Sequence, residues 1–470
     1  MELTLTHELH KDAINELAKR IKNTKWETKV FLCGEFVRKT LLNDLTYIID
    51  ICVESIHYDE FAEWICKEMG CYKINKNPLL LPHSGTAYFK MSELPHVKNV
   101  LFRCFKTQIG FHTAKSVIGE KTMFAMKTEA AYDQDVTMDA LYVDPVTLNI
   151  IDPTGYGLED IKNNVIRSLR ETKAWKEDKK YILRLVQLAT KLQAKIDKKT
   201  WMQIIKYVNN VAEIPYKDVT EIVSAFIVMD NPSYGFNMLR HCGALNIIYP
   251  HLFKMIDCKQ GESHFGDVFD HTMAVLDNTE PDNLTRWAAL FHDVGKPMVK
   301  HMINGKPTFL NHDTIGSVFA RSYLEGIGFK AEEAEQIAIM IKEHMRFKKS
   351  GKGLPSNKSI KKFMSSFEKE LMAKMLDLMH ADNMGHAEHA RRENQIPYVA
   401  EKILEFIEEE ERKKNEGPTI PINGKDIMEW CKVPSGPKVG KLMKEAQKIF
   451  DAEPTLTKNE LLLKLVEHVN

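Results

Sequence analysis

The chain has 470 residues, and its 65 Lys+Arg are matched by 65 Asp+Glu for a formal net charge of zero. Hydrophobic and charged fractions of 44% and 28% exclude wholesale disorder, and the length calls for several domains rather than one core. Charge balance excludes a uniformly basic nucleic-acid coat but leaves room for a local basic groove.

The opening MELTLTHELHKD lacks the basic-then-apolar pattern of a secretion signal, and no apolar run reaches membrane-spanning length. The eight cysteines are scattered, so a reducing, cytoplasmic setting is expected. Residues 30–33, 47–53, 87–89, 100–105 and 140–142 are short apolar or alternating runs bounded by turn residues, which predicts strands. Between the first two, EFVRKTLL places Val37, Leu41 and Leu42 at helical spacing, giving strand, Gly34, helix, strand. Beyond about residue 157 strand signals nearly vanish. EDKKYILRLVQLATKLQAKI (177–196) is an amphipathic helix, and that pattern recurs to the end between loops such as DNPSYG, SGKGLPSN and NEGPTIPING. The last loop follows the charged EFIEEEERKK and is expected to link to a small carboxy-terminal unit.

Of the 18 histidines, those between 264 and 344 carry the most information. His271 opens an apolar helix (HTMAVLDN), and His292 with Asp293 ends another (RWAALFHDVGKP). His312 heads HDTIGSVFA, His344 lies in IAIMIKEHMRF, and Asp382 follows in LMHADN. A His-Asp pair alone is weak evidence, since His312 and Asp313 form a second copy. The first copy is stronger because an apolar, buried helix terminates in it, and burying imidazole and carboxylate is costly unless they are paired or bind a metal. Their donor set suits a borderline divalent ion. His264, His301, His380, His386 and His389 are read as satisfied or surface residues.

This pattern resembles the HD-domain phosphohydrolases, whose elements H…HD…D hold a divalent metal. The resemblance implies His271, His292, Asp293 and Asp382 as ligands of Mn, Ni, Mg, Fe or Zn. His312 and His344 match the extra histidines of phosphatase-active or dinuclear members, which allows one or two ions. Asp293 and Lys296 are then the catalytic candidates, Lys296 by neutralising phosphate charge beside a metal that activates water.

FLCGEFVRKTLLNDLTYIIDICVE (31–54) is similar to the signature of bacterial CCA-adding tRNA nucleotidyltransferases and poly(A) polymerases. Four later segments resemble that family in order: 134–169, 177–192, 231–252 and 422–443. The implied fold class is α+β. A nucleotidyltransferase-like palm (1–155) precedes a helical neck (156–255), an HD phosphohydrolase domain (256–400) and a helical, tRNA-binding-like tail (401–470).

The departures from that family fall where nucleotide and metal would sit. Glu35 replaces a second Gly, and Val-Arg-Asp becomes Val37-Arg38-Lys39. The Asp-x-Asp pair becomes Ile48-Ile49-Asp50, although two-metal phosphoryl transfer needs both acids. Arg-Arg-Asp becomes Asp133-Gln134-Asp135, the later Asn is Asp139, and Tyr181 stands where a base-reading Arg belongs. Gly34, Arg38, Asp50 and Asp135 are therefore expected as vestiges of a nucleotide site. The expected activity moves to the HD domain, as a phosphohydrolase acting on nucleotide or RNA 3′-end phosphate esters. RNA, foremost tRNA, and a small nucleotide are the implied partners. Lys425, Lys438 and Lys441 are RNA-binding candidates, and the basic stretches 348–352 and 358–362 are either further candidate phosphate contacts or solvated loops. The alternatives are a transferase still adding nucleotides to tRNA 3′ ends and a non-catalytic RNA- or nucleotide-binding protein.

Overall fold

The computed structural model describes residues 1–46, 48–54, 58–68, 72–73, 87–90, 101–107, 134–170, 172–264, 266–348, 353–415 and 420–469. The chain divides into two compact units, one formed by 1–344 with 384–390 and the other by 345–383 with 391–470.

The first unit opens with a mixed sheet of seven strands. In chain order they are β1 (Val30–Cys33), β2 (Ile48–Glu54), β3 (Tyr72–Lys73), β4 (Ala87–Lys90), β5 (Leu101–Thr107), β6 (Tyr142–Val143) and β7 (Ile150–Ile151), arranged β3-β4-β5-β2-β1-β6-β7. β2 runs parallel to β5 with Asp50 opposite Arg103, and antiparallel to β1. The apolar runs of β1 and β2 bury Val30, Leu32, Ile49, Ile51 and Val53 against Trp26, Phe36 and Phe61. Gly34 carries the chain from β1 into the helix Gly34–Leu41 at φ +62°, a left-handed conformation that glycine adopts without strain.

A helical region follows, including Tyr181–Leu192, Lys198–Tyr207, Tyr216–Ile227 and Ser233–Cys242. The amphipathic segment expected over 177–196 is a helix over Tyr181–Leu192, while Glu177 ends the preceding helix Thr172–Glu177. Gln193 turns left-handed at φ 50°, and Lys195–Ile196 instead pairs in parallel with Val165–Ile166. A second departure is the hairpin of His301–Ile303 with Lys306–Thr308, turned by Asn304 and Gly305 at positive φ. The sequence 140–142 is likewise not one strand, since the 3-10 turn Thr137–Asp139 delays β6 to Tyr142.

Four helices build the histidine-bearing region: Val268–Asn278, Asn283–Phe291, His312–Gly326 and Ala331–Glu343. His271 lies one turn inside the first of these rather than at its start, because Asp267 caps it in a reciprocal capping box with Asp270. The buried Arg286 donates to Thr279 O, Glu280 O, Ile227 O and Met229 O at 2.8–3.1 Å, tying the second helix to its surroundings.

The second unit contains Asn357–Met364, the helix Lys369–Met384 up to its last residue, and Gln395–Asn415. It ends in a three-helix cluster of Gly424–Cys431, Pro437–Ala452 and Lys458–Val469 around Ile427, Ala446, Phe450, Leu461 and Leu465. No helix among the described residues is long and apolar enough to cross a membrane.

Candidate metal centre

Helix Asn283–Phe291 buries Trp287, Ala288, Ala289, Leu290 and Phe291 and delivers His292 and Asp293 at its end, both buried. Helix Val268–Asn278 supplies His271, the first residue of His312–Gly326 is His312, and His344 follows Ala331–Glu343. The first unit therefore gathers five of the expected site residues. They form two groups that share Asp293, one with His271 and His292 and the other with His312 and His344.

The four imidazoles are oriented alike. Nδ1 contacts a backbone carbonyl in each: His292 with Ala289 O (2.7 Å), His312 with Phe309 O (2.8 Å), His344 with Ile341 O (2.5 Å) and His271 with Gly385 O (3.0 Å). A carbonyl can only accept, so every Nδ1 carries the proton and every Nε2 keeps a lone pair directed into the site. Nε2 of His271 lies 3.4 Å from that of His292, and the same distance separates His312 from His344. Two lone pairs facing each other in a buried site repel unless a cation lies between them. Ligand bonds of about 2.1 Å at a tetrahedral angle place two nitrogens about 3.4 Å apart.

Asp293 completes this arrangement. Its Oδ2 faces His292 at 3.1 Å and His271 at 3.6 Å, while Oδ1 faces His312 at 3.3 Å and His344 at 3.9 Å. Among the described residues no directed hydrogen bond reaches either oxygen, although both are buried. Lys296 Nζ lies 2.6 Å from Oδ2 and donates to Gln260 Oε1, also at 2.6 Å. Imidazole nitrogens, a carboxylate that faces both histidine pairs and conflicting lone pairs all fit a divalent metal centre.

Gly295 explains how Asp293 and His312 come so close. A Cβ there would stand 2.2 Å from His312 O and 2.8 Å from Gly316 N, so only glycine lets the HDVGKP turn meet the start of the next helix.

Two histidines read from sequence as satisfied or surface residues belong beside this site. His386 and His264 meet His271 edge to face with ring centroids 5.1 Å away in both cases, and they lie 4.6 Å from each other. The antiparallel bridge between 264 and 386 brings them together, a long-range pairing with no local sequence signal. Burial, with Lys296 and His271 adding to it, lowers the His264 pKa to about 2.

Asp382 lies buried in the second unit, with Lys348 Nζ 2.6 Å from its Oδ2. Lys348 is thus engaged within the protein rather than held out as a phosphate contact, while 349–352 fall outside the described residues. Lys358, Lys361 and Lys362 are exposed, as are Lys425, Lys438 and Lys441. Lys425 lines a groove with Asn423, Ser435 and Gly436.

In the head, Asp50 is buried and accepts from Phe36 N at 3.2 Å. Among the described residues no cluster of three metal-type ligands includes it; Asp133 lies outside them. A cavity of about 330 Å³ is lined by Glu35, Arg38, Asp135, Asp139, Arg184 and Lys191 among others. Arg38 Nε donates to Asp139 at 2.6 Å. One helical turn after Tyr181, Arg184 lines the cavity and reaches Asp135 (3.1 Å) and Asp178 (2.7 Å). Tyr181 is buried and donates to Asp135 O at 2.7 Å.

This sheet-and-helix head, with a histidine–aspartate centre behind it, defines a nucleotidyltransferase-like head joined to an HD domain. Residues 30–167 match the poly A polymerase head domain and residues 262–434 the HD domain. The chain thus combines a region similar to a poly A polymerase head with a region similar to an HD domain. It is 24% identical over 310 residues to an A-adding tRNA nucleotidyltransferase of Deinococcus radiodurans, covering 63% of this chain and 69% of the relative. It is also 24% identical over 346 residues to a CC-adding tRNA nucleotidyltransferase of Thermus thermophilus, covering 70% and 75%. The fold is similar to that of the Thermotoga maritima CCA-adding enzyme complexed with tRNA (TM-score 0.54, 14% identity, 100% and 99% covered). It is also similar to that of the Bacillus stearothermophilus CCA-adding enzyme in complex with CTP (TM-score 0.51, 15% identity, 99% and 98% covered).

Proposed function

We propose that this chain is a metal-dependent phosphohydrolase of the HD type, carried on a tRNA-nucleotidyltransferase frame whose head no longer polymerises. The observation that carries the reading is the shared Asp293 between two histidine pairs whose Nε2 lone pairs all point inward. His271, His292 and Asp293 would hold one divalent ion. His312, His344 and the other face of Asp293 would hold a second. When bound, such ions supply Lewis acidity and an activated water.

The chain's own residues do the rest. Backbone carbonyls fix each imidazole in the Nδ1–H tautomer, so no ligand need lose a proton from Nε2. Lys296, 7% exposed, holds its ammonium at the carboxylate and can offset charge developing on a phosphate oxygen. Gln260 keeps that ammonium aimed. The substrate class is a phosphate ester of a nucleotide or of an RNA 3′ end, with Lys425, Lys438 and Lys441 on the second unit contacting RNA phosphates.

The names of the relatives favour a second reading, nucleotide addition to tRNA. The single carboxylate at 48–50 weighs against it, because two ions bridging nucleophile and leaving oxygens need more than Asp50.

The test is hydrolysis of p-nitrophenyl phosphate, bis-p-nitrophenyl phosphate and 2′,3′-cyclic nucleotides with Mn²⁺, Ni²⁺ or Mg²⁺. Addition of labelled CTP or ATP to a tRNA lacking its 3′ end is run beside it. Hydrolysis should vanish in His292→Ala/Asp293→Ala and persist in Asp50→Ala. Equal loss in both variants, or nucleotide addition without hydrolysis, would reverse the assignment.

A further inference from the structure

The head cavity carries three cations, Arg38, Arg184 and Lys191, around a space of about 330 Å³. Three such groups converging on one cavity are what a polyphosphate seeks. Here each is engaged by a carboxylate of the chain itself. Arg38 Nε binds Asp139 at 2.6 Å, and its Nη2 lies 3.6 Å from Glu35. Lys191 Nζ donates to Glu35 Oε1 at 3.2 Å, and Lys39 Nζ stands 3.7 Å from the same atom. Arg184 is shared between Asp135 and Asp178, and Asp135 also takes Arg170.

Within the lining, Arg38, Arg184 and Lys191 are therefore balanced by Glu35, Asp135 and Asp139. Glu35 is the central member, since a single oxygen meets three cations that come from two separate helices, Gly34–Leu41 and Tyr181–Leu192. We infer that Glu35 is a built-in anion that occupies the cation set of the head cavity and closes it to nucleoside triphosphates. Burial opposes its charge, but Lys191, Arg38 and Lys39 keep the carboxyl below its ordinary range, so Glu35 stays anionic at neutral pH. An incoming triphosphate would have to displace this carboxylate while meeting the negative potential of Asp135 and Asp139. Neutralising Glu35 frees Lys191, Lys39 and one face of Arg38 together.

This inference rests on the reading that the head no longer polymerises, and it fails separately from that reading. The experiment is calorimetric titration of the full chain with ATP and CTP, with and without Mg²⁺. Wild type and Glu35→Asp should show no saturable binding at millimolar nucleotide. Glu35→Gln and Glu35→Gly should bind at least tenfold more tightly. The Glu35 side chain is 38% exposed, so neither change opens a core cavity. Saturable wild-type binding would overturn the inference while leaving a catalytically silent head intact, as would a failure of both neutral variants to gain affinity. Nucleotide addition by wild type would overturn both.

Discussion

His312 and His344 present their Nε2 atoms to each other at 3.4 Å, and each has its Nδ1 proton engaged by a carbonyl three residues back. Neither ring can donate to the other, so the pair is stable only with a cation or an added proton between them. The first prediction is that the metal-free protein binds two Mn²⁺ or Ni²⁺ ions per chain. His312→Ala/His344→Ala should lower this to one, as measured by metal analysis after gel filtration. A ligand at about one hundred times its Kd adds about 2.7 kcal/mol of stability, so chelation should visibly lower the melting temperature. Retention of two ions in the double variant would show that the pair holds neither.

Gly295 is the hinge of this arrangement. A methyl group there would meet His312 O at 2.2 Å, backbone that cannot rotate away as a side chain could. Gly295→Ala should therefore cost about 3 kcal/mol in urea unfolding. It should also weaken metal binding more than Gly326→Ala, a change at an exposed helical position with nothing within 4 Å of a Cβ. Equal effects of the two substitutions would contradict the close approach.

Most of the candidate histidine–aspartate cluster was legible because its residues sit at local punctuation: an apolar run ending in His292 and Asp293, and helices beginning or ending at His312 and His344. The seven-stranded head was only partly legible. The outer strands are short, and turn chemistry at Thr137–Asp139 displaced β6 by a residue or two. His264 and His386 escaped notice because their relation to His271 depends on a bridge spanning more than a hundred residues. Arg184 escaped notice because its place in the head cavity depends on long-range packing against Asp135, which no local motif signals. Lys348 showed the opposite error, since its charge suggested a solvated phosphate contact but its side chain, 12% exposed, is committed to Asp382.

Arg286 supports the third prediction. Its buried guanidinium satisfies four carbonyls, two before its own helix and two at the end of Tyr216–Ile227 and just beyond. Arg286→Leu removes every donor and leaves those acceptors in a dry setting, a loss of about 3–5 kcal/mol. Arg286→Lys should recover only part of this, because an ammonium cannot reproduce the planar fork. Chemical denaturation of the three proteins checks the order wild type, Lys, Leu. Equal stability of Lys and wild type would show that charge alone matters here.

His10 in the head supports the fourth. Its Nε2 meets Thr46 O at 2.7 Å, so that nitrogen carries the proton, while the buried Nδ1 has no partner among the described residues. Burial lowers its pKa below 6.5, and His7 adds to the shift against the opposing Thr46 carbonyl. The unfolded chain takes up this proton near pH 6.5, whereas the folded chain does so only at lower pH. The contribution is thus complete above pH 6.5 and declines as pH falls from there towards the folded value, by at most about 1.4 kcal/mol per pH unit. His10→Gln keeps a donor for Thr46 and cannot titrate. Thermal unfolding between pH 7.5 and 5.5 should therefore fall less steeply in His10→Gln than in wild type, with a gap that widens on acidification. Parallel pH profiles for the two proteins would show that His10 takes up its proton equally in both states.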